Sequence, residues 1–211
     1  VPLPELERLV DVMARLRQEC PWDAEQTHRS LVQYLIEETA ETIEAIEVGD
    51  RDHLREELGD LLLQVIFHSK IASEQADGFA LEEVARGIAD KLISRHPYVF
   101  ATADVPNDLH YTWEQRKAAE KGRTSALQGI PEELSALARA NKIISRVRSR
   151  RVAVALPDEP TTAQEVGTQL LALAARAQAS GIDPEQALRD AVRALEAHVR
   201  DAEAAANGPG S

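Results

Sequence analysis

The chain has 211 residues, 44% hydrophobic and 28% charged, but only 4% aromatic, with 10 glycines and 10 prolines. That length can bury a core, the composition leans away from an aromatic-rich β-sandwich, and no apolar run approaches the ~18 residues of a membrane span. The net charge of −12 is unevenly spread: residues 1–120 hold 25 acids and 12 bases, the remainder 11 and 12, and Glu37–Asp60 alone hold ten acids against Arg51 and Arg55. Such a block argues against a protein that coats nucleic acid, which needs a basic stripe. It leaves a solvated helix face or a cation site. One cysteine, Cys20, cannot form an internal disulfide, and no secretory leader is evident, so the expected location is the cytoplasm.

The patterning predicts helices nearly throughout, giving an all-α helical bundle. Leu6, Leu9, Val10, Met13 and Leu16 follow the i, i+3, i+4, i+7 spacing of an amphipathic helix, which Cys20-Pro21 ends. A loop through Pro21-Trp22-Asp23 and Gln26-Thr27-His28 leads to a second helix, capped by Ser30 and running to Val48. Gly49 stops it and Asp50 caps a third helix over about 51–75, with Leu54, Leu58, Leu61, Leu62, Val65 and Ile66 as its core. Asp77-Gly78 makes a turn before a fourth helix over 81–95. Beyond a loop at 97–108, further helices are expected near 109–121, 132–149, 161–179 and 183–205, and no strand is expected. Residues 207–211 read as a disordered tail.

The second and third helices carry the chemistry. Glu38 and Glu41 are three apart, as are Glu57 and Asp60, and residues at that spacing share a helix face with Cβ atoms ~5–6 Å apart. In an antiparallel hairpin about Gly49, Glu41 faces Glu57 and Glu38 faces Asp60 at matched heights, the inner pair ~12 Å from the turn. Four carboxylates then converge. Close like charges cannot all stay ionised unless a cation is present, and an all-oxygen donor set suits Mg²⁺, with Mn²⁺ possible, over Zn²⁺. A solvated acidic face is the competing reading. Against it, bases at i, i+4 are nearly absent from the second helix, and Leu35, Ile36, Ile43 and Ile46 border the acids. Glu37 and Glu56 are candidate outer ligands.

A cation so held takes part of its shell from phosphates, and bases to receive them follow downstream. Lys91 and Arg95 are one turn apart on the fourth helix, and Lys117 and Lys121 repeat that spacing. The two tryptophans, Trp22 and Trp113, are either core anchors or stacking platforms for a base.

Together these residues resemble the MazG family of nucleoside triphosphate pyrophosphohydrolases. The likeness rests on Glu37-Glu38-Thr39-Ala40-Glu41 followed by Glu57-Leu58-Gly59-Asp60. It extends to Cys20-Pro21-Trp22-Asp23, to Asp90-Lys91-Leu92 with Arg95-His96-Pro97, and to Trp113-Glu114-Gln115 with Lys117. It is dense over residues 5–125. The resemblance implies a helical enzyme that forms a homodimer or higher homo-oligomer. It also implies Mg²⁺-dependent cleavage of NTPs or dNTPs between the α- and β-phosphates, as house-cleaning of the nucleotide pool. By the same carry-over Glu38, Glu41, Glu57 and Asp60 hold the metal, Glu38 or Glu41 is the catalytic base, and Lys91, Arg95, Lys117, Trp113 and Trp22 meet the substrate. A narrower pyrophosphatase for dUTP or dCTP stays open, as does a non-catalytic nucleotide-binding module.

The expected organisation is a catalytic region at 1–125 and a degenerate second copy at 126–206. Glu165-Val166-Gly167-Thr168 aligns with Glu57-Leu58-Gly59-Asp60, so Thr168 stands where the metal aspartate would be. Ala194 and His198 stand in the places of Lys91 and Arg95. The basic run from Lys142 to Arg151 reads as a solvated helix end or as a surface for a nucleotide or nucleic acid.

Overall fold

A computed structural model describes residues 2–206 and is all-α, with ten helices and no strand among those residues. The chain divides between His96 and Pro97 into two compact units. The expected tail at 207–211 lies outside the described residues. No described helix is long and apolar enough to cross a membrane.

The first unit contains α1 (Pro4–Glu19), α2 (Pro21–Glu25), α3 (Val32–Val48), α4 (Arg51–Ser73) and α5 (Leu81–Arg95). Its core brings Met13 of α1 against Leu31 and against Ile66, Phe67 and Ile71 of α4. Burying each of these large side chains contributes roughly 1.5–3 kcal/mol. The α3–α4 turn forms as the sequence dictates. Gly49 takes φ +78°, a left-handed conformation that favours glycine, and the Asp50 carboxylate accepts from the backbone N–H groups of Asp52 and His53.

Three local expectations change. Ser30 does not cap α3. Its hydroxyl accepts from Thr27 N–H instead, and Leu31 holds the cap position without a side-chain bond. The expected loops contain one short helix each, α2 and α6 (Pro97–Phe100), both opened by a proline suited to the first helical turn. The expected α4 core is only partly buried: Leu58, Leu62 and Val65 are exposed, as are Leu35, Ile36, Ile43 and Ile46 of α3. Heptad-like spacing marks an apolar face but does not say whether the same chain covers it.

Arg17 fastens α2 and the following loop to the unit. Its guanidinium donates to the carbonyls of Asp23, Ala24 and Gln26, and forms a forked pair with Glu74 at 3.1 and 2.5 Å. The Arg17 hydrogen bond holds the Glu74 carboxyl below its ordinary value, and the charges of Arg17 and Lys70 add to this against the opposing effect of burial. A carboxyl with a lowered folded-state value stabilises the fold above its unfolded value of about 4.5, and that contribution is lost as pH falls through the lowered value. Thermal unfolding followed by circular dichroism is therefore expected to fall more steeply below about pH 4.5 in the wild type than in Glu74→Gln. Parallel curves would remove this pair from the acid response.

The second unit contains α6, α7 (Leu109–Glu120), α8 (Ala136–Arg150), α9 (Ala163–Ala179) and α10 (Pro184–Ala206). Ile143 and Val147 of α8 pack with Val192 and Val199 of α10, and with Ala126 and Ile130 of the preceding connector. Polar ties surround this core: Arg139 to Glu196 at 2.7 Å, Ala126 N–H to Glu203 at 2.7 Å, and Gln115 to the Ser149 carbonyl at 3.1 Å. The helix bearing Trp113 thus packs on α8. Glu165 is used locally. Its carboxylate accepts from Thr161, Thr162 and the Thr162 N–H, closing a capping box at the start of α9.

Candidate metal centre

The α3–α4 hairpin fixes the site. Thr42 is buried between the two helices; its hydroxyl donates to the Glu38 carbonyl at 2.7 Å and reaches the Glu57 carbonyl at 3.5 Å. That contact sets the register and brings Glu38, Glu41 and Glu57 to one place, with one carboxylate oxygen from each lying within 4.8 Å of the others. Among the described residues this is the one group of three or more acidic, histidine or cysteine side chains so close together.

Burial grades across the set: Glu57 is buried, Glu38 half-buried and Glu41 exposed. Glu57 uses one oxygen to pair with His53 at 3.1 Å, while its other oxygen is buried with no hydrogen-bond partner. An orphaned buried carboxylate oxygen beside two further carboxylates is costly unless something positive completes it. The electrostatics agree. The Glu38 carboxyl is pushed above its ordinary value, first by loss of solvent and then by the charges of Asp60, Glu41, Glu57 and Glu37. The Glu41 carboxyl is raised in the same way, by desolvation and then by Glu57, Glu37 and Asp60, with His53 opposing. Hard carboxylate oxygens with one member unsatisfied fit a divalent cation of the Mg²⁺ or Mn²⁺ type.

Asp60 lies outside the set of three oxygens, although its charge acts on both Glu38 and Glu41. Lys91 is exposed on α5 and Arg95, one turn on, is half-buried. Trp22 is half exposed, and its ring meets the edge of Tyr34 at 5.8 Å and 79°. Tyr34 precedes Glu38 by one helical turn, so the aromatic pair stands on the same side of α3 as the acids. Trp113 and Lys117 lie on α7 in the second unit, where Lys117 pairs with Glu114 at 2.9 Å. Sequence reasoning did not single out His53 or Tyr34. Each lies four residues before a site carboxylate, which was the available signal.

An antiparallel helical hairpin presenting converging carboxylates defines a class of all-α, acidic-site proteins suited to binding a cation and a polyanion together. Residues 26–100 match the MazG nucleotide pyrophosphohydrolase domain. The chain is 37% identical over 209 residues to the Thermotoga maritima nucleoside triphosphate pyrophosphohydrolase/pyrophosphatase MazG, covering 89% of this chain and 81% of that protein. It is 48% identical over 213 residues to an uncharacterized 26.1 kDa protein in the blaB 3′ region of Streptomyces cacaoi, covering 99% and 85%. It is 44% identical over 150 residues to the nucleoside triphosphate pyrophosphohydrolase of Escherichia coli K12, covering 67% and 57%. It spans 50% to 60% of the length of the E. coli and mycobacterial relatives. The chain belongs to the MazG nucleotide pyrophosphohydrolase family.

Proposed function

We infer that this chain is a metal-dependent nucleoside triphosphate pyrophosphohydrolase that cleaves NTPs or dNTPs between the α- and β-phosphates, releasing a nucleoside monophosphate and pyrophosphate. The observation that carries the reading is the Glu38–Glu41–Glu57 cluster with its orphaned Glu57 oxygen. Glu38, Glu41 and Glu57 would hold Mg²⁺, with Mn²⁺ as the alternative ion, and Asp60 would join them through a change of side-chain rotamer. A bound cation of this kind supplies charge neutralisation on the phosphates and acidifies a water.

The protein groups do the rest. Glu41, the exposed member, takes the proton of the attacking water. His53 holds Glu57 in place. Lys91 and Arg95 bind the departing pyrophosphate, where positive charge offsets charge developing on the leaving group. Trp22, backed by Tyr34, offers the base a stacking surface. We place the reaction in the cytoplasm, where nucleoside triphosphates are abundant.

The test is product analysis across a panel of NTPs and dNTPs with Mg²⁺. Monophosphate and pyrophosphate in equal amounts are expected, whereas diphosphate and orthophosphate would refute α–β cleavage. A rate confined to dUTP or dCTP would select the narrower enzyme.

The working form is expected to be a homodimer or higher homo-oligomer built on the exposed apolar face of α3 and α4. Only Thr42 and Ala45 of α3 are buried within one copy, while Ile43 and Ile46 are more than half exposed. Removing such a face from water drives association. Sedimentation is expected to give at least twice the 23.2 kDa chain mass for the wild type, and the single-chain mass for Ile43→Asp. A monomeric wild type would contradict this.

A further inference from the structure

We propose that the second unit carries a separate binding site for a phosphate-bearing ligand of mononucleotide size, formed by the C-terminal half of α8 and the start of α7. From Leu134 to Pro157 the chain has six bases and no acid. Three of these bases have structural employment. Arg139 pairs with Glu196, Arg146 lies beside Glu114, and Arg150 donates to the Arg123 carbonyl. Arg148 and Arg151 have no carboxylate within ion-pairing distance among the described residues. Arg148 donates to the Pro157 carbonyl, and the Arg151 guanidinium lies 5.6 Å from the centroid of the Tyr111 ring.

These two arginines open onto one cleft of about 490 Å³, whose lining includes Asp108, Tyr111, Asn141 and Ser145. The lining is chemically mixed in a way that suits a nucleotide. Two guanidiniums offer forked donors for phosphate oxygens. Tyr111 supplies an aromatic face, and the Asn141 amide supplies a donor and an acceptor for a heterocycle. The Asp108 carboxylate, also in the lining, has one oxygen already committed to the Tyr111 N–H, as the cap of α7.

Basic residues at a helix C-terminus are ordinarily explained by the helix dipole. That account does not cover Arg151. It is the one non-glycine residue with positive φ among those described, at +54°, in the position after a helix where glycine or asparagine is favoured. Arg151 lines the cleft from that conformation, at the expense of backbone comfort, which is the pattern of a residue kept for its side chain. The residues lining this cleft all belong to the second unit, and those of the carboxylate cluster to the first.

The test uses the full chain in EDTA, so that the carboxylate cluster holds no metal and retains no polyphosphate through it. Isothermal titration is run with two probes, AMP and inorganic pyrophosphate. Glycine accommodates φ +54° without strain, so Arg151→Gly should fold at least as stably as the wild type, and its unfolding temperature checks this. Arg148→Ala is the second variant. Wild-type binding of either probe that weakens by about tenfold or more in both variants, and weakens with added salt, supports the site. Which probe binds separates a mononucleotide from a free polyphosphate. Unchanged affinity in the variants, or no wild-type binding up to about 5 mM, near the weak limit of useful affinity, overturns the proposal.

Discussion

Glu57→Gln is expected to lower kcat by about a thousandfold, roughly 4 kcal/mol of transition-state stabilisation, while leaving the metal-free fold intact. Gln has the same shape but offers one neutral acceptor where a buried, half-satisfied carboxylate stood. It cannot complete the charge of the donor set, and the oxygen that has no partner in the protein is the one whose loss matters. Removing the charge also relieves Glu38 and Glu41, whose raised carboxyls both feel Glu57. In EDTA the variant should therefore unfold at or above the wild-type temperature. This combination of lost activity and retained or gained stability is the signature of a site whose repulsion is maintained for function. Glu44→Gln, an exposed neighbour outside the cluster, is the control and should stay within about twofold. Wild-type turnover in Glu57→Gln would remove Glu57 from the chemistry.

Arg146→Ala is expected to destabilise the second unit by about 3–5 kcal/mol, the typical result of removing one partner from a buried charged network. The Arg146 side chain is 5% exposed. Its Nη1 donates to the carbonyls of Ala126 and Gln128 at 3.2 and 2.5 Å, and its Nε faces Glu114 at 3.9 Å. Burial lowers the Arg146 pKa, Arg123 and Arg150 push in the same direction, and Glu114 opposes them. The Glu114 carboxyl is also buried, which pushes it up. The Lys117 hydrogen bond and the charges of Lys117, Lys142 and Arg146 outweigh that, so it sits below its ordinary value. Alanine at 146 would strand two connector carbonyls and leave Glu114 with less positive charge around it. Arg146→Ala combined with Glu114→Gln should cost less than the sum of the two single changes, because neither then leaves the other uncompensated. Chemical denaturation of all four forms measures this. An Arg146→Ala cost below about 1 kcal/mol, or strict additivity, would contradict the network reading.

The sequence made the hairpin legible because its determinants are local. Gly49 and Asp50 set the turn, and a helix converts three-residue spacing into a shared face. Equal distance from the turn placed Glu38, Glu41 and Glu57 together correctly. The same heights were expected to include Asp60, yet its oxygen lies outside the set. Backbone height fixes where a side chain starts and leaves the rotamer that decides where it ends. Lys117 is similar: spacing places it one turn from Lys121 but cannot show that Glu114, three residues before it, holds its ammonium group. The exposed face of Leu58, Leu62 and Val65 was read as core because periodicity records an apolar stripe and is silent about what covers it. Glu165 aligns with Glu57, a metal-ligand position, and the structure gives its carboxylate to the cap of α9. The packing of α7 on α8 rests on contacts more than thirty residues apart in sequence, which local spacing does not show.

The carboxylate cluster as a metal centre is tested most directly by titrating the metal-free protein with Mn²⁺ and following the free ion by electron paramagnetic resonance. The account predicts saturable Mn²⁺ binding per chain that Mg²⁺ displaces, and that weakens by about a hundredfold or more in Glu38→Gln and in Glu57→Gln. Equal Mn²⁺ binding by the wild type and both variants would contradict it.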